Sequence, residues 1–271
     1  MRVREQLSDL TPPILKRAIT GVFRKRGKAS PTVVRNGVLT GRRMWLNSFS
    51  WWQRSLIDGS YDQEVLATID TMDLCGTTVI DVGAYIGYYT LAFSVAVGEE
   101  GRVFALEPNP SSLIRLKKNI SLNDRLSGRI TVEPLCLADS VGQAYFSLST
   151  GVDLGTASGS HIAGTITLDR PDVFSRFGFR EVKVNVTTLD EFARERNLMP
   201  RLIKIDVEGA EAAVLRGASL TLRTYRPFIL LEVHTAASMF DVGNLLEAYG
   251  YRTTMLKCES DGRAFLRAAP A

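Results

Sequence analysis

Thr78-Val79-Ile80-Asp81-Val82-Gly83-Ala84-Tyr85-Ile86-Gly87 is the stretch that decides the fold. Its first five residues form a short apolar, β-branched run, the pattern of a strand buried on both faces. Gly83 and Gly87 then mark a turn, because glycine tolerates a sharp backbone reversal and a close approach to a ligand. Ile86 to Val97 reads as a helix. Ligands of open α/β sheets gather at the carboxyl ends of the strands, so this turn is the first candidate wall of a site.

Working outward, the strand–helix pattern repeats. Arg102–Glu107 reads as a second strand and Pro110–Asn123 as a helix, through Leu113, Leu116 and Ile120. Ile130–Ala138 is a third strand. Leu202–Asp206 is a fourth, followed by a helix over Ala210–Arg223. Phe228–His234 is a fifth, with a helix near Met239–Tyr249 and a strand near Tyr251–Lys257. Such alternation predicts an α/β fold with a parallel sheet and helices on both faces. Gln143–Leu148 and Val182–Val186 read as two further strands. They frame an insertion, Ser149–Glu181, that contains His161 and suits acceptor recognition.

The 271 residues suffice for one large α/β domain with an extension, and 45% apolar with 23% charged content is ordinary for a globular protein. No apolar run approaches the length of a membrane-spanning helix, and no signal peptide is read. Cys75, Cys136 and Cys258 form neither a CxxC pair nor a zinc pattern. Cys75 and Cys136 read as reduced residues in or near the core, which predicts a cytoplasmic protein. Charge is unevenly spread: residues 1–43 hold eleven Lys/Arg against two acids, whereas the remainder carries 22 basic and 27 acidic residues. The reading therefore divides the chain into a basic extension, 1–60, and a catalytic-sized domain, 61–271. Within the extension, residues 12–26 have the spacing of a basic amphipathic helix. It could pack on its own domain or lie on the inner face of an anionic membrane. No pattern supports a nucleic-acid partner. A helix is expected near Asp62–Met72.

The chemistry-bearing residues fall at strand ends. The loop spacing is G-x-x-x-G, not the G-x-G-x-x-G that cradles a pyrophosphate, which argues against a nucleotide-binding oxidoreductase. Glu107 ends the second strand, 20 residues after Gly87. An acid there can accept hydrogen bonds from both hydroxyls of a ribose. Asp139, just past the third strand, could meet an adenine edge or serve as a turn residue. Of the Tyr88-Tyr89 pair, one ring is expected in the core and one partly exposed.

Four blocks now carry a resemblance. Asp81 to Leu91 looks like the glycine loop of FkbM-type methyltransferases. Glu107-Pro108-Asn109-Pro110, with Asn119 and Asn123, resembles their second block. Thr187-Thr188-Leu189-Asp190 followed by Ile203-Lys204-Ile205-Asp206-Val207-Glu208-Gly209-Ala210-Glu211 is similar to their most distinctive block, and Leu230-Leu231-Glu232-Val233-His234 to the fifth-strand block. The resemblance spans roughly residues 60–250. It implies a Rossmann-like class I methyltransferase fold with seven strands and S-adenosyl-L-methionine as cofactor, mostly for O-methylation of glycans, glycolipids or polyketide-type natural products. The cofactor site is then expected around Asp81, Gly83, Tyr85, Gly87, Glu107, Asp139 and Asp206. Tyr85 departs from the family, which usually has Asn there.

Transfer to an alcohol benefits from a general base. His234, one of two histidines, ends a strand on the ligand side and titrates near neutral pH, so it is the catalytic candidate. Asp206 could bind the cofactor's ammonium group, orient the acceptor or act as base. Glu208 shares its orientation if the strand persists, as site residue or as a charge on the following helix terminus. Glu211 reads as a cap for that helix. Asp206, Glu208 and Glu232 could chelate Mg²⁺, but nothing in the spacing demands a metal, and none is expected. A non-catalytic module with a degenerate pocket is the remaining alternative, with Tyr85 as its one hint.

Overall fold

The computed structural model describes residues 29–149, 161–162, 179–260 and 262–271. The basic helix expected at 12–26 and most of the insertion expected at 149–181 lie outside them. In chain order, β1 (Ser30–Val33) and β2 (Arg43–Leu46) pair antiparallel, and helices α1 (Trp51–Asp58) and α2 (Gln63–Ile69) follow. Alternation then begins with β3 (Thr78–Val82), α3 (Tyr88–Ala96), β4 (Arg102–Leu106), α4 (Pro110–Ser121), α5 (Asp124–Ser127) and β5 (Ile130–Glu133). After β6 (Cys136–Leu137), β7 (Gly142–Ser149), β8 (His161–Ile162) and β9 (Phe179–Thr187), it resumes with α6 (Leu189–Glu195), β10 (Pro200–Ile205) and α7 (Glu211–Arg216). The chain closes with α8 (Ser219–Tyr225), β11 (Phe228–Val233), α9 (Ala236–Ala248), β12 (Tyr251–Cys258) and β13 (Ala264–Pro270).

The central sheet has the order β12-β13-β11-β10-β3-β4-β5. Its strands from β11 to β5 run parallel, and β13 lies antiparallel to both neighbours. The chain travels from β3 outward to β5 and then returns to add β10 on the other side of β3. The switch point of the sheet thus falls between β3 and β10, where an open α/β fold leaves a crevice. A second sheet, β6-β9-β7-β8, contains the two strands expected to frame the insertion.

Strand alternation divides the core between the two faces of the sheet. Val79, Val103, Ala105, Leu202 and Leu230 point into one apolar cluster; Ile80, Leu106, Ile203, Ile205, Ile229, Leu231 and Val233 point into the other. Val34, Leu39, Met44, Leu46, Leu56 and Ile57 belong to the first cluster. The boundary placed at residue 60 therefore cuts through a continuous core, because residues 30–58 bury apolar side chains against the same sheet face. Asn119 and Asn123 fasten them there. Asn119 accepts from the Trp45 amide and donates to the Ile86 carbonyl, while Asn123 exchanges two bonds with the Arg43 backbone.

Other expectations change for local reasons. The third strand stops at Glu133, because Pro134 has no N–H for a ladder, and Cys136–Leu137 joins the second sheet instead. Helix α3 begins at Tyr88, since the Gly87 amide closes a turn onto the Ala84 carbonyl and Gly87 sits at φ +88°. Tyr88 and Tyr89 are both buried, edge to face with each other. Cys75 is exposed, whereas Cys136 is buried. The Ala-rich β13 was not anticipated; pairing with β12 and β11 on either side makes it a strand. Among the described residues, no helix is long and apolar enough to cross a membrane.

Candidate active site

One side of the crevice is built by the backbone. Gly83 takes φ +78°, and a Cβ there would lie 1.8 Å from the carbonyl oxygen of Asp206. The space opened by this glycine is thus occupied by the end of β10, and the loop and that strand end touch backbone to backbone. Gly87 is similarly filled, by the Leu116 side chain. Tyr85, between them, holds φ +49°, a left-handed conformation. Glu107 stabilises it: one carboxylate oxygen accepts from the Tyr85 amide at 2.8 Å and the other from the Asn109 amide at 2.8 Å. Burial pushes Glu107 up to about 7, against the opposing effect of those two N–H groups. Each oxygen keeps lone-pair capacity for a further donor.

Asp81 is buried under this loop. The Thr90 hydroxyl donates to one oxygen, and Lys204 Nζ lies 3.4 Å from the other. Burial raises its pKa, with Lys204 opposing. Asp139 sits apart on the surface, nearly half exposed, 3.1 Å from Arg216 Nε.

The other side is built from charged side chains on β10 and β11. Register sets Lys204 beside Asp81 and Leu230, facing the first core cluster, where a lysine has no access to bulk water. Its ammonium finds the Gly83 carbonyl at 2.9 Å and Asp206 Oδ2 at 3.2 Å. Burial alone would lower its pKa; Asp206 and Asp81 outweigh that and raise it. Burial alone would likewise raise Asp206, but Lys204 and His234 hold it below the ordinary carboxylate value.

His234 stands at the centre. Nδ1 is 2.7 Å from Glu211 Oε1, while Nε2 has Glu208 at 3.4 Å, Asp206 at 3.6 Å and Glu232 at 3.8 Å. Glu211 is completely buried and also accepts from the Gly209 amide and the Ser238 hydroxyl. It lies in the first turn of α7 without capping it by a side-chain hydrogen bond, and it orients the imidazole. Burial alone would lower His234; the Glu211 hydrogen bond and the surrounding carboxylates instead push it up to about 10. Glu232 rises to about 8, through burial and then Asp206, although His234 and Arg263 Nη1, 2.6 Å away, pull it down. Burial also raises Glu208. The set shares its protons as a unit. Asp206, Glu232 and His234 each bring one ligand atom within 4.8 Å of the others, a spacing that could also accept a divalent cation.

The fold thus brings Asp206, Glu208 and His234 together, with Gly83 in contact with Asp206 and Asp81 linked to it through Lys204. Glu107 lines the loop side, and Asp139 joins neither group. Lys204 had a signal in the sequence: a lysine inside Leu202-Ile203-Lys204-Ile205 must find a buried partner. The Glu211–His234 contact and the approach of Arg263 had none, because neither is local.

The chain matches the family model described as methyltransferase FkbM domain over residues 81–253. Hexuronic acid methyltransferase AglP of Haloferax volcanii is 29% identical over 184 residues, which is 67% of this chain and 66% of that protein. The crystal structure of methyltransferase FkbM from Methylobacillus flagellatus KT superposes with a TM-score of 0.50 at 19% identity, covering 72% of this chain and 44% of that one. That likeness concerns the fold, the class I methyltransferase sheet. Since the matched residues run from the glycine loop into β12 and include every strand end that supplies the charged cluster, the chain belongs to the FkbM methyltransferase family.

Proposed function

We propose that this chain transfers a methyl group from S-adenosyl-L-methionine to a hydroxyl, on a sugar of a glycan, glycolipid or glycosylated natural product. The observation that carries the reading is His234 at the end of β11, 3.6 Å from Asp206, which follows β10 next to the switch point. The imidazole Nδ1 is tied to Glu211, and its Nε2 lies among the carboxylates of Glu208, Asp206 and Glu232. The relative named for hexuronic acid methylation supports a sugar acceptor.

The residues present fit the cofactor. Glu107 offers lone pairs to a vicinal diol, Asp206 and Glu208 offer negative charge to cationic groups, and buried donors lie near the loop. When bound, the cofactor supplies a methyl carbon activated by positive sulfur. The protein's own work is alignment, exclusion of water and management of one proton. Glu211 fixes the imidazole so that Nε2 receives the acceptor's proton. In the free protein His234 is protonated at neutral pH, since its pKa stands near about 10. It becomes a base when Asp206, Glu208 and Glu232 acquire another positive partner, which lowers its proton affinity. Asp206, held ionised by Lys204, is the carboxylate best prepared to take that partner.

Calorimetric titration with S-adenosylmethionine and S-adenosylhomocysteine, with NAD(H) as comparator, tests the reading. Binding of the two sulfur nucleosides alone is expected; binding of neither by folded protein ends it. Contact of residues 12–26 with a membrane is tested by liposome sedimentation. Arg24, Lys25 and Arg26 changed to Glu are expected to abolish partition, and equal partition rejects the contact.

A further inference from the structure

Two aromatic side chains beside the glycine loop carry polar atoms that the fold leaves unmet. Trp52, on α1, and Tyr85 have ring centroids 6.1 Å apart, tilted by 33°. The indole Nε1 and the phenol oxygen are both buried and have no hydrogen-bond partner among the described residues. A buried donor without an acceptor is costly, so native proteins rarely keep one without a use. Here two belong to neighbouring rings. Tyr85 is held rigidly, by its left-handed backbone and the bond from its amide to Glu107.

Chemistry narrows the complement. An indole N–H can only donate. The phenol is protonated at any physiological pH, because burial pushes it up to about 12, so it too donates. Arg115 and the carboxylates of Glu107 and Glu208 all lie close enough to act on the phenol, Arg115 lowering its pKa and the two carboxylates raising it. Two donors without a partner among the described residues call for an acceptor on the ligand. In the proposed cofactor the ribose hydroxyls are donors toward Glu107, and the one anionic group is the carboxylate of the amino-acid end.

We propose that Trp52 and Tyr85 form a donor pair that binds this carboxylate. The assignment rests on the cofactor reading above and goes beyond it. Trp52 lies outside residues 81–253, so part of the cofactor site comes from the segment that precedes the family domain. It also gives Tyr85, which departs from the family's usual Asn, a positive role: a longer side chain whose hydroxyl meets the same ligand as the indole.

The experiment is calorimetry of wild type, Tyr85→Phe and Trp52→Phe with two ligands, S-adenosylhomocysteine and 5′-methylthioadenosine. The second keeps the nucleoside and thioether but lacks the amino-acid end. Each substitution is expected to weaken S-adenosylhomocysteine roughly tenfold, the worth of a hydrogen bond to a charged group, and to leave 5′-methylthioadenosine unchanged. The melting temperature of ligand-free Tyr85→Phe is expected to equal or exceed that of wild type, since an unmet donor is removed. Unchanged S-adenosylhomocysteine affinity, equal loss for both ligands, or a lower melting temperature of Tyr85→Phe overturns the pair. Wild type that binds neither nucleoside overturns the cofactor reading, and this assignment with it.

Discussion

The two walls of the crevice are made differently. The glycine loop is a backbone device: positive φ at Gly83, Tyr85 and Gly87, with one buried carboxylate, Glu107, accepting two main-chain N–H bonds. The β10–β11 wall is a side-chain device, in which Lys204, Asp206, Glu208, Glu211, Glu232 and His234 satisfy one another across three elements. The first depends on shape and on hydrogen bonds to a single carboxylate. The second depends on charge, and so on proton occupancy. The proposed function gives the loop wall a part in binding and the charged wall the handling of the proton, so damage to one wall should be distinguishable from damage to the other.

The largest effect is expected from His234→Gln. Loss of the base lowers kcat by roughly 10²–10⁴-fold. Calorimetric affinity for S-adenosylhomocysteine should be retained, because the loop wall is intact. A loss in kcat below tenfold would falsify His234 as the base and blur the distinction between the walls.

Lys204→Met comes next. It strands Asp81 and Asp206, both of which lie against the buried ammonium at 3.2–3.4 Å. Removing one partner of a buried ion pair costs about 3–5 kcal/mol, so the urea midpoint should fall markedly. A variant as stable as wild type shows that the charged wall is not held by this lysine.

Proton occupancy makes the charged wall sensitive to pH. Folding raises His234 from 6.5 to about 10 and Glu232 from 4.5 to about 8. Both groups bind protons more tightly in the folded protein. Their contribution is fully present below the unfolded values and is lost as pH climbs through the folded ones. Thermal stability of the ligand-free protein should therefore decline between about pH 5 and pH 10. Glu232→Gln should flatten the lower part of that decline and His234→Gln the upper part. A profile that is flat or rising over this range contradicts the cluster.

The smallest effect belongs to the backbone wall. Glu107→Ala removes the acceptor for the proposed ribose hydroxyls, two bonds of roughly 0.5–1.5 kcal/mol each. Cofactor affinity should fall by the sum, most fully above about pH 7, where the Glu107 carboxylate is ionised. Unchanged affinity in folded Glu107→Ala detaches Glu107 from the ligand and leaves it as a loop support for Tyr85 and Asn109.

What the sequence by itself determined is local and periodic. Alternation of apolar runs predicted β3, β4, β10 and β11, and the spacing of Gly83, Gly87 and Glu107 predicted the backbone wall, because strand and turn preferences act within a few residues. Even there the reason for Gly83 came from elsewhere: the carbonyl of Asp206, 123 positions later in the chain, fills the place of its Cβ. Tertiary structure alone decided how the charged wall works. The register of β10 against β3 puts Lys204 beside Asp81, the start of α7 delivers Glu211 to His234, and the hairpin of β12 and β13 brings Arg263 to Glu232. It also decided that residues 30–58 belong to the core and that Trp52 meets Tyr85. These contacts join residues far apart in the chain, and Coulomb and hydrogen-bond energies depend on distance in space, which no spacing in the sequence encodes.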